Sequence, residues 1–180
     1  MNLKENKIDS ITIYQGKIFK VTVDSVELPD GSRSTRECVR HSGGAAVLFI
    51  IDNEIALVRQ YRYLYNQELY EIPAGKLNCG ENPQEAAMRE LEEETGFRAI
   101  CAHHLLDIYP TPGYTDEIIH IYCVVRAEFV GQKLDEGEFL NITFMPINQV
   151  LKMIKSGTIK DAKTICALYA YLSEQDKILL

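Results

Sequence analysis

The sequence lacks both a long apolar run and a secretory signal. The longest apolar stretch covers residues 45–51, whereas a helix that crosses a bilayer needs about 20 apolar residues. The N-terminal segment MNLKENKIDS has no apolar core of the kind that secretory signals contain. These absences argue against a membrane-spanning helix, and we expect the protein to act in the cytoplasm.

Closely spaced cysteines are also missing. The five cysteines are dispersed, with no Cys-x-x-Cys pair among them: Cys38, Cys79, Cys101, Cys123 and Cys166. A disulfide framework or a structural zinc site needs cysteines at short, regular spacings. We therefore predict reduced thiols, most of which pack as small apolar side chains in the core.

An excess of basic residues is absent as well. The chain of 180 residues has 19 Lys and Arg against 26 Asp and Glu, which gives a formal net charge of −7. This charge disfavours non-specific binding to nucleic acid or to an anionic membrane, and we expect neither partner. If such an acidic protein acts on phosphates, it needs local arginines or divalent cations to offset the repulsion.

The hydrophobic pattern predicts a β-rich first third, followed by a mixture of strands and helices. The predicted strands are residues 11–15, 17–28, 33–40, 44–51, 55–62, a stretch near 117–130, and 140–145. The predicted helices are residues 82–95, 148–155 and 161–173. Strands in the middle and helices on the flanks predict an α+β fold, with a mixed sheet covered on both faces.

The helix predicted over residues 82–95 has clear signals at both ends. Asn82 is a favourable N-cap, Pro83 occupies the first helical position, and Glu85 completes a capping-box arrangement. Gly96 is suited to end the helix because glycine adopts the left-handed conformation at no steric cost.

The last turn of this helix carries an unfavourable cluster of negative charge. Glu90, Glu93 and Glu94 fall within one arc of about 100° on a helical wheel, and Glu92 points to solvent. Like charges at these spacings repel by roughly 0.2–0.5 kcal/mol per pair, and acidic groups at a helix C-terminus oppose its dipole. Mg²⁺ or Mn²⁺ would relieve both penalties, because these ions prefer oxygen ligands. A merely solvated acidic face is the alternative.

The spacing around the cluster resembles the Nudix signature. Gly75, five residues, Glu81, seven residues and then Arg89-Glu90-Leu91-Glu92-Glu93-Glu94-Thr95-Gly96-Phe97 follow that signature position by position. Phe97 departs slightly, since the signature more often has an aliphatic residue there. The resemblance implies a Nudix α/β/α sandwich over residues 44–180, preceded by a β-rich segment over residues 1–43.

The same resemblance implies a role for each residue of the motif. The metal site would hold two or three ions of Mg²⁺, or Mn²⁺, on the carbonyl of Ala74 and the carboxylates of Glu90, Glu93 and Glu94. Structural roles in the motif would fall to Gly75, Glu81, Arg89 and Gly96. Arg89 would orient the glutamates and Gly75 would allow a tight bend. Glu81 would brace the turn or simply complement the helix dipole.

Outside the motif, the chain resembles the bacterial ADP-ribose pyrophosphatases. The matching segments are IFKVTVDSVELPDG, VRQYR, YEIPAGKL, TPGYTDEIIHIY, LDEGEF and DAKT, and Pro112 lies sixteen residues beyond Gly96. This resemblance implies hydrolysis of ADP-ribose to AMP and ribose 5-phosphate. It also implies a homodimer whose β-rich segment forms the dimer surface and contributes to the adenine pocket.

Five further residues are candidates for substrate binding. Arg36, Arg59 and Arg62 could contact the two phosphates, although Arg59 could equally be a structural ion-pair partner. By the same resemblance Phe19 would stack on adenine, although an aromatic residue in a strand could equally belong to the core. Glu117 would accept hydrogen bonds from ribose hydroxyls or remain a solvated loop residue.

The acidic segment 134–139 is the candidate source of a general base. Glu136 and Glu138 lie two residues apart, and by resemblance a glutamate of this mobile loop closes over the diphosphate. We favour Glu138 over Glu136 as the residue that activates water, and Glu93 is a third candidate.

Two other functions remain open from the sequence. The substrate could be GDP-mannose, another nucleotide sugar, a dinucleoside polyphosphate or an oxidised nucleotide. The protein could also be a non-catalytic Nudix module that senses ADP-ribose, although such modules usually lack one of the motif glutamates. A calcium-binding module is not supported, because no EF-hand loop is present.

Overall fold

The computed structural model describes residues 2–178, with side chains described to residue 175. The strands are β1 (Asn6–Gln15), β2 (Phe19–Glu27), β3 (Arg33–His41), β4 (Gly44–Ile51), β5 (Glu54–Arg62), β6 (Gln67–Glu71), β7 (Ala74–Lys76), β8 (Phe97–Ala99), β9 (His103–Ile108), β10 (Ile119–Val124), β11 (Ala127–Phe129) and β12 (Leu140–Pro146). The helices are α1 (Pro83–Thr95), α2 (Ile147–Lys155) and α3 (Ala162–Ile178), with a 3₁₀ turn at Tyr63–Tyr65.

The chain divides into two compact units. One comprises Met1–Gly43 and Tyr109–Ile118, and the other comprises Gly44–Ile108 and Ile119–Leu180. The first unit therefore takes in a segment, residues 109–118, that lies far along the chain from the N-terminal strands.

The first unit is built on an antiparallel sheet in the order β1-β2-β3. Asp24 on the central strand joins all three strands, since it accepts hydrogen bonds of 2.6 Å from Ser10 on β1 and 2.6 Å from Arg40 on β3. The segment from residue 109 to 118 attaches to β3 through backbone hydrogen bonds to both polar groups of Val39.

The second unit is built on a mixed seven-stranded sheet. Its central order is β12-β5-β4-β10-β9, while β6 pairs with β5 and β7 pairs with β4. The pairing of β10 with β4 is parallel and the other pairings are antiparallel. A separate two-stranded ladder joins β8 to β11.

Helices cover both faces of this sheet, because the buried residues of β4 alternate between two cores. Val47 and Phe49 pack in the core that contains Ala86, Ala87 and Leu91 of α1. Leu48 and Ile50 pack in the other core, which contains Val150 of α2 and Ala167 and Leu168 of α3. Each large apolar side chain buried in this way contributes about 1.5–3 kcal/mol. The mixed α/β fold predicted from the sequence is confirmed.

The structure differs from the predicted elements where local sequence pattern is weak. The single strand expected near 117–130 is two strands, because the chain leaves the central sheet after β10 and β11 pairs with β8 instead. β1 begins at Asn6 rather than residue 11, since its backbone pairs with β2 whatever the polarity of its side chains. Among the described residues, no helix is long and apolar enough to cross a membrane.

Candidate functional site

Helix α1 begins and ends where its capping residues require. Asn82 has extended backbone angles, and its Oδ1 accepts hydrogen bonds from the N–H of Gln84 at 2.9 Å and of Glu85 at 3.4 Å. Gly96 ends the helix with a φ of 77°, in the left-handed region. The site residues therefore sit on a helix whose register is set at both ends.

The acidic last turn of α1 has no basic residue, and another part of the chain satisfies its carbonyls. The N–H of Val130 bonds to the carbonyl of Gly96 at 2.8 Å, and that of Lys133 bonds to the carbonyl of Glu93 at 3.1 Å. The side-chain amide of Gln132 donates to the carbonyl of Glu94 at 2.7 Å. A Cβ on Gly96 would lie 2.7 Å from the nitrogen of Gln132, so only glycine fits this close approach.

Arg89 connects the motif carboxylates. Its Nε lies 2.8 Å from Oε1 of Glu81, and its Nη1 lies 2.8 Å from both Oε1 of Glu90 and Oε2 of Glu93. Glu81 also accepts the N–H of Asn78 at 2.8 Å. The hydrogen bond from Arg89 is the largest cause of the lowered pKa of Glu81. Arg89 therefore fixes two carboxylates of α1 and the turn that leads into the helix.

Glu94 is the most deeply buried carboxylate of the cluster, at 1% exposure. Its Oε2 accepts a hydrogen bond of 2.9 Å from the N–H of Ala74 on β7. Burial raises the pKa of Glu94 to about 8, and the negative charges of Glu90 and Glu138 add to the rise. The ionised form of Glu94 is therefore unfavourable in this environment unless a cation lies nearby.

Glu90 lies against the backbone of β7. A Cβ placed on Gly75 would overlap the Glu90 carboxylate, so the glycine creates the space that this carboxylate occupies. Burial is the largest cause of the raised pKa of Glu90, and Glu93 and Glu138 raise it further. Gly75 therefore leaves room for the Glu90 carboxylate, in addition to allowing the predicted bend.

The donor set fits a divalent cation that prefers oxygen. Glu90, Glu93 and Glu94 offer carboxylate oxygens only, and two of the three are largely buried. Among the side chains of residues 2–175, no three acidic, histidine or cysteine groups already converge on one point in a metal-binding geometry. Arg89 holds Glu90 and Glu93, so these carboxylates would have to turn from the arginine toward an ion.

The acidic loop approaches the helix at Glu138. The charge of Glu138 contributes to the raised pKa of both Glu90 and Glu94. The loop turns at Gly137, with a φ of 83°, and the N–H of Glu138 bonds to the carbonyl of Asp135 at 3.1 Å. Glu138 also lines a cleft of about 310 Å³ together with Arg59.

Glu92 lies apart from this group. Its two carboxylate oxygens pair with Arg98 at 2.8 and 2.9 Å, on the other side of the helix. The wheel-based separation of Glu92 from the other three glutamates agrees with this placement.

The two candidate arginines of β5 are both paired. Arg59 lies 3.5 Å from Glu68 at the surface. Arg62 donates from Nε and Nη2 to the two oxygens of Glu71, at 2.6 and 2.7 Å. The Arg62 side chain also lines a cleft of about 460 Å³, with Glu71 and Lys163.

The sequence analysis did not identify the buried acidic and basic residues that lie next to Arg62. Glu71 is buried, and Lys163 at the start of α3 donates to it and to Asp161. The segments YEIPAGKL and DAKT contain these residues, but their pairing across the chain leaves no periodic signal.

Three other candidates lie in the first unit. Phe19 on β2 is 40% exposed, and its ring lies 5.7 Å from that of Tyr14. Arg36 on β3 pairs with Glu5 at 2.6 Å. Glu117 lies 3.5 Å from the His41 ring. Phe19 is therefore available for stacking, while Arg36 already has an acidic partner.

Two family models match this chain. Residues 40–168 match the family model described as NUDIX domain. Residues 5–39 match the model described as nucleoside diphosphate sugar hydrolase N-terminal domain.

Individual relatives extend over nearly the whole chain. The methanol dehydrogenase activator of Bacillus methanolicus is 41% identical over 181 residues, which is 97% of this chain and 96% of that protein. The ADP-ribose pyrophosphatase of Bacillus subtilis (strain 168) is 40% identical over 177 residues, 96% of each. A crystal structure of an ADP compounds hydrolase has the same fold, with a TM-score of 0.86 over 98% of this chain and 97% of that one, at 21% identity.

Proposed function

Because the chain belongs to the Nudix family, we propose that it is a divalent-metal-dependent hydrolase that cleaves ADP-ribose to AMP and ribose 5-phosphate. The observation that carries the proposal is the carboxylate cluster of α1, in which Glu94 is almost completely buried and its pKa is raised by burial and by the charges of Glu90 and Glu138. The relative named ADP-ribose pyrophosphatase, at 40% identity, supports this choice of substrate.

Members of this family generally need a divalent metal, usually Mg²⁺. We assign the binding of Mg²⁺, or Mn²⁺, to Glu90, Glu93, Glu94 and the carbonyl of Ala74, with two or three ions in the site. When bound, the ions would neutralise the diphosphate and stabilise charge that develops as the bond breaks. Arg89 would orient Glu90 and Glu93 beside the site, and the two carboxylates would turn from the arginine toward the ions.

Residues of the chain would carry the proton transfer and the substrate contacts. Glu138 would accept a proton from the attacking water, and its charge already acts on both Glu90 and Glu94. Glu136 and Glu93 remain weaker candidates for this role. Arg62 and Arg59 would donate to the phosphates.

The remaining substrate contacts would come from the first unit. Arg36 would contribute to phosphate binding, and Phe19, with its exposed ring, would stack on adenine. Glu117 would accept hydrogen bonds from ribose hydroxyls.

We also propose that the active form is a homodimer. Among the described strands, β1 pairs only with β2, and it exposes four apolar side chains: Ile8, Ile11, Ile13 and Tyr14 are 48–63% exposed. An open edge strand with such a surface is a frequent site of association. A second copy of the chain is the partner we propose for it.

The substrate is tested by measuring turnover of a panel in Mg²⁺. The panel contains ADP-ribose, GDP-mannose, another nucleotide sugar, a dinucleoside polyphosphate and an oxidised nucleotide. We expect ADP-ribose to have the highest kcat/KM. A second compound that exceeds ADP-ribose by tenfold or more would replace it as the proposed substrate. Binding of ADP-ribose without hydrolysis would instead support a sensor.

A further inference from the structure

A buried ion network joins the start of α3 to the strand that leads into the carboxylate site. Nζ of Lys163 lies 2.5 Å from Oε2 of Glu71 and 2.9 Å from Oδ1 of Asp161. The side chains of Glu71 and Lys163 are only 3% and 10% exposed. Removing charges from water costs several kcal/mol per ion, so such a network stabilises the fold little more than apolar side chains of the same volume would, and its presence points to a geometric role.

A second contact, from a backbone N–H, also joins the end of β6 to the start of α3. The N–H of Ile72 donates to Oγ1 of Thr164 at 2.8 Å, and Thr164 donates in turn to Asp161 at 2.6 Å. Asp161 also accepts the N–H of Thr164 at 3.0 Å, as an N-cap residue does. Lys163 therefore has a fixed backbone and acts on Glu71 from a rigid position.

Glu71 in turn fixes the orientation of Arg62. The carboxylate accepts from Nε and Nη2 of Arg62 in a bidentate arrangement, which sets the plane of the guanidinium. Nη1 of Arg62 is the nitrogen with no hydrogen-bond partner in the described chain. Arg62 and Lys163 both line the cleft of about 460 Å³, so Nη1 is the donor left for a ligand.

We propose that Lys163 is a positioning residue, which holds Glu71 so that the Arg62 guanidinium is oriented for a substrate phosphate. Two of the three protons of Lys163 point at carboxylates, so Lys163 acts through Glu71 rather than on the substrate. Without Lys163, one Glu71 oxygen loses its second partner and the Arg62–Glu71 pair can turn. The proposal rests on the proposed function, because it needs a phosphate-containing substrate.

The first test compares Lys163→Met with Lys160→Met, a control at an exposed lysine three residues earlier. Kinetics with ADP-ribose are measured at saturating Mg²⁺, on protein shown to be folded by circular dichroism. We expect Lys163→Met to raise KM roughly tenfold, with a smaller change in kcat. Lys163→Arg keeps the charge, and we expect it to restore most of the wild-type KM. Lys163→Arg also supplies the test if Lys163→Met does not fold. A KM of Lys163→Arg that lies between the KM of wild type and the KM of Arg62→Ala supports the proposal.

A double-mutant cycle separates positioning from a purely structural role. In an Arg62→Ala background, Lys163→Met should leave KM unchanged, because the residue that it positions is gone. An unchanged KM in the single Lys163→Met variant, or an equal rise in both backgrounds, would overturn the proposal. Failure of the proposed function would show differently, as a wild-type protein that does not hydrolyse ADP-ribose at all.

Discussion

At the scale of single residues, the three clustered carboxylates of α1 differ in how their charge is balanced. Glu93 is 30% exposed and pairs with Arg89, which also reaches Glu90. Among the described residues, Glu94 has a single backbone N–H as its hydrogen-bond partner, and its side chain is almost completely buried. Glu94 is therefore the position where a bound cation would relieve the largest electrostatic penalty.

Glu94→Gln should strongly reduce activity and stabilise the metal-free protein. The amide keeps the shape of the side chain and removes a charge that is costly to bury. We expect kcat to fall by roughly 10²–10⁴-fold and the midpoint of urea unfolding in EDTA at pH 8 to rise. Glu92→Gln is the control, since Glu92 pairs with Arg98 outside the cluster. A variant that hydrolyses ADP-ribose at the wild-type rate would refute the catalytic role of Glu94.

Glu138→Gln and Glu136→Gln distinguish the two candidate bases. Glu138 is close enough to α1 to raise the pKa of Glu90 and Glu94. We expect Glu138→Gln to lower kcat by roughly 10²–10⁴-fold, and Glu136→Gln to remain close to wild type. The measurement is kcat at saturating Mg²⁺ and substrate. The reverse order of effects would transfer the role to Glu136.

At the scale of elements, the carboxylate helix depends on parts of the chain that are remote in sequence. Segment 130–133 bonds to the carbonyls at the end of α1, and β7 supplies both the N–H for Glu94 and the space for Glu90. The start of α3 holds the turn between β6 and β7. The site is thus assembled by four elements, although one helix carries most of its charge.

This arrangement explains how much the sequence could predict. The bounds of α1 follow from local signals at Asn82, Pro83 and Gly96, and the alternation of β4 follows from its apolar run, so both were predictable. The three-residue strands β7, β8 and β11 have no periodicity to detect. Glu71 pairs with Lys163 across 92 positions of sequence, so no local pattern predicts this pair. The contacts of Gly96 with segment 130–133 also depend on tertiary structure.

Glu71→Gln should show that the link between β6 and α3 is electrostatic. Burial alone would raise the pKa of Glu71, but hydrogen bonds from Arg62 and Lys163 lower it to about 2. Because the folded pKa lies below the ordinary value of 4.5, the stabilisation is present above about pH 4.5 and is lost as the pH falls toward 2. We expect the variant to be less stable by about 3 kcal/mol at pH 7.

The measurement is urea unfolding of wild type and Glu71→Gln from pH 7 downward. The difference between them should narrow below pH 4.5. Glu68→Gln removes the exposed partner of Arg59 and should change stability by less than about 1 kcal/mol. A difference between wild type and Glu71→Gln that does not depend on pH would rule out the ionic link.

At the scale of the whole molecule, the exposed apolar side chains of β1 indicate an interface with a second copy of the chain. The doubly substituted variant Ile11→Glu/Ile13→Glu places charge among the exposed apolar side chains of β1 that we assign to the dimer interface. We expect wild type to sediment as a dimer at micromolar concentration and the variant to sediment as a monomer. Lys17→Glu, an exposed position outside β1, should remain dimeric. A monomeric wild type would contradict the proposed homodimer.

The central claim is that the carboxylates of α1 hold metal ions for cleavage of a diphosphate, and product analysis tests it most directly. Wild-type protein is incubated with ADP-ribose and Mg²⁺, and the products are identified by ³¹P nuclear magnetic resonance. We predict AMP and ribose 5-phosphate in equal amounts, and no products when EDTA is present. Unchanged ADP-ribose in the presence of Mg²⁺ and Mn²⁺, or hydrolysis that persists in EDTA, would contradict the account.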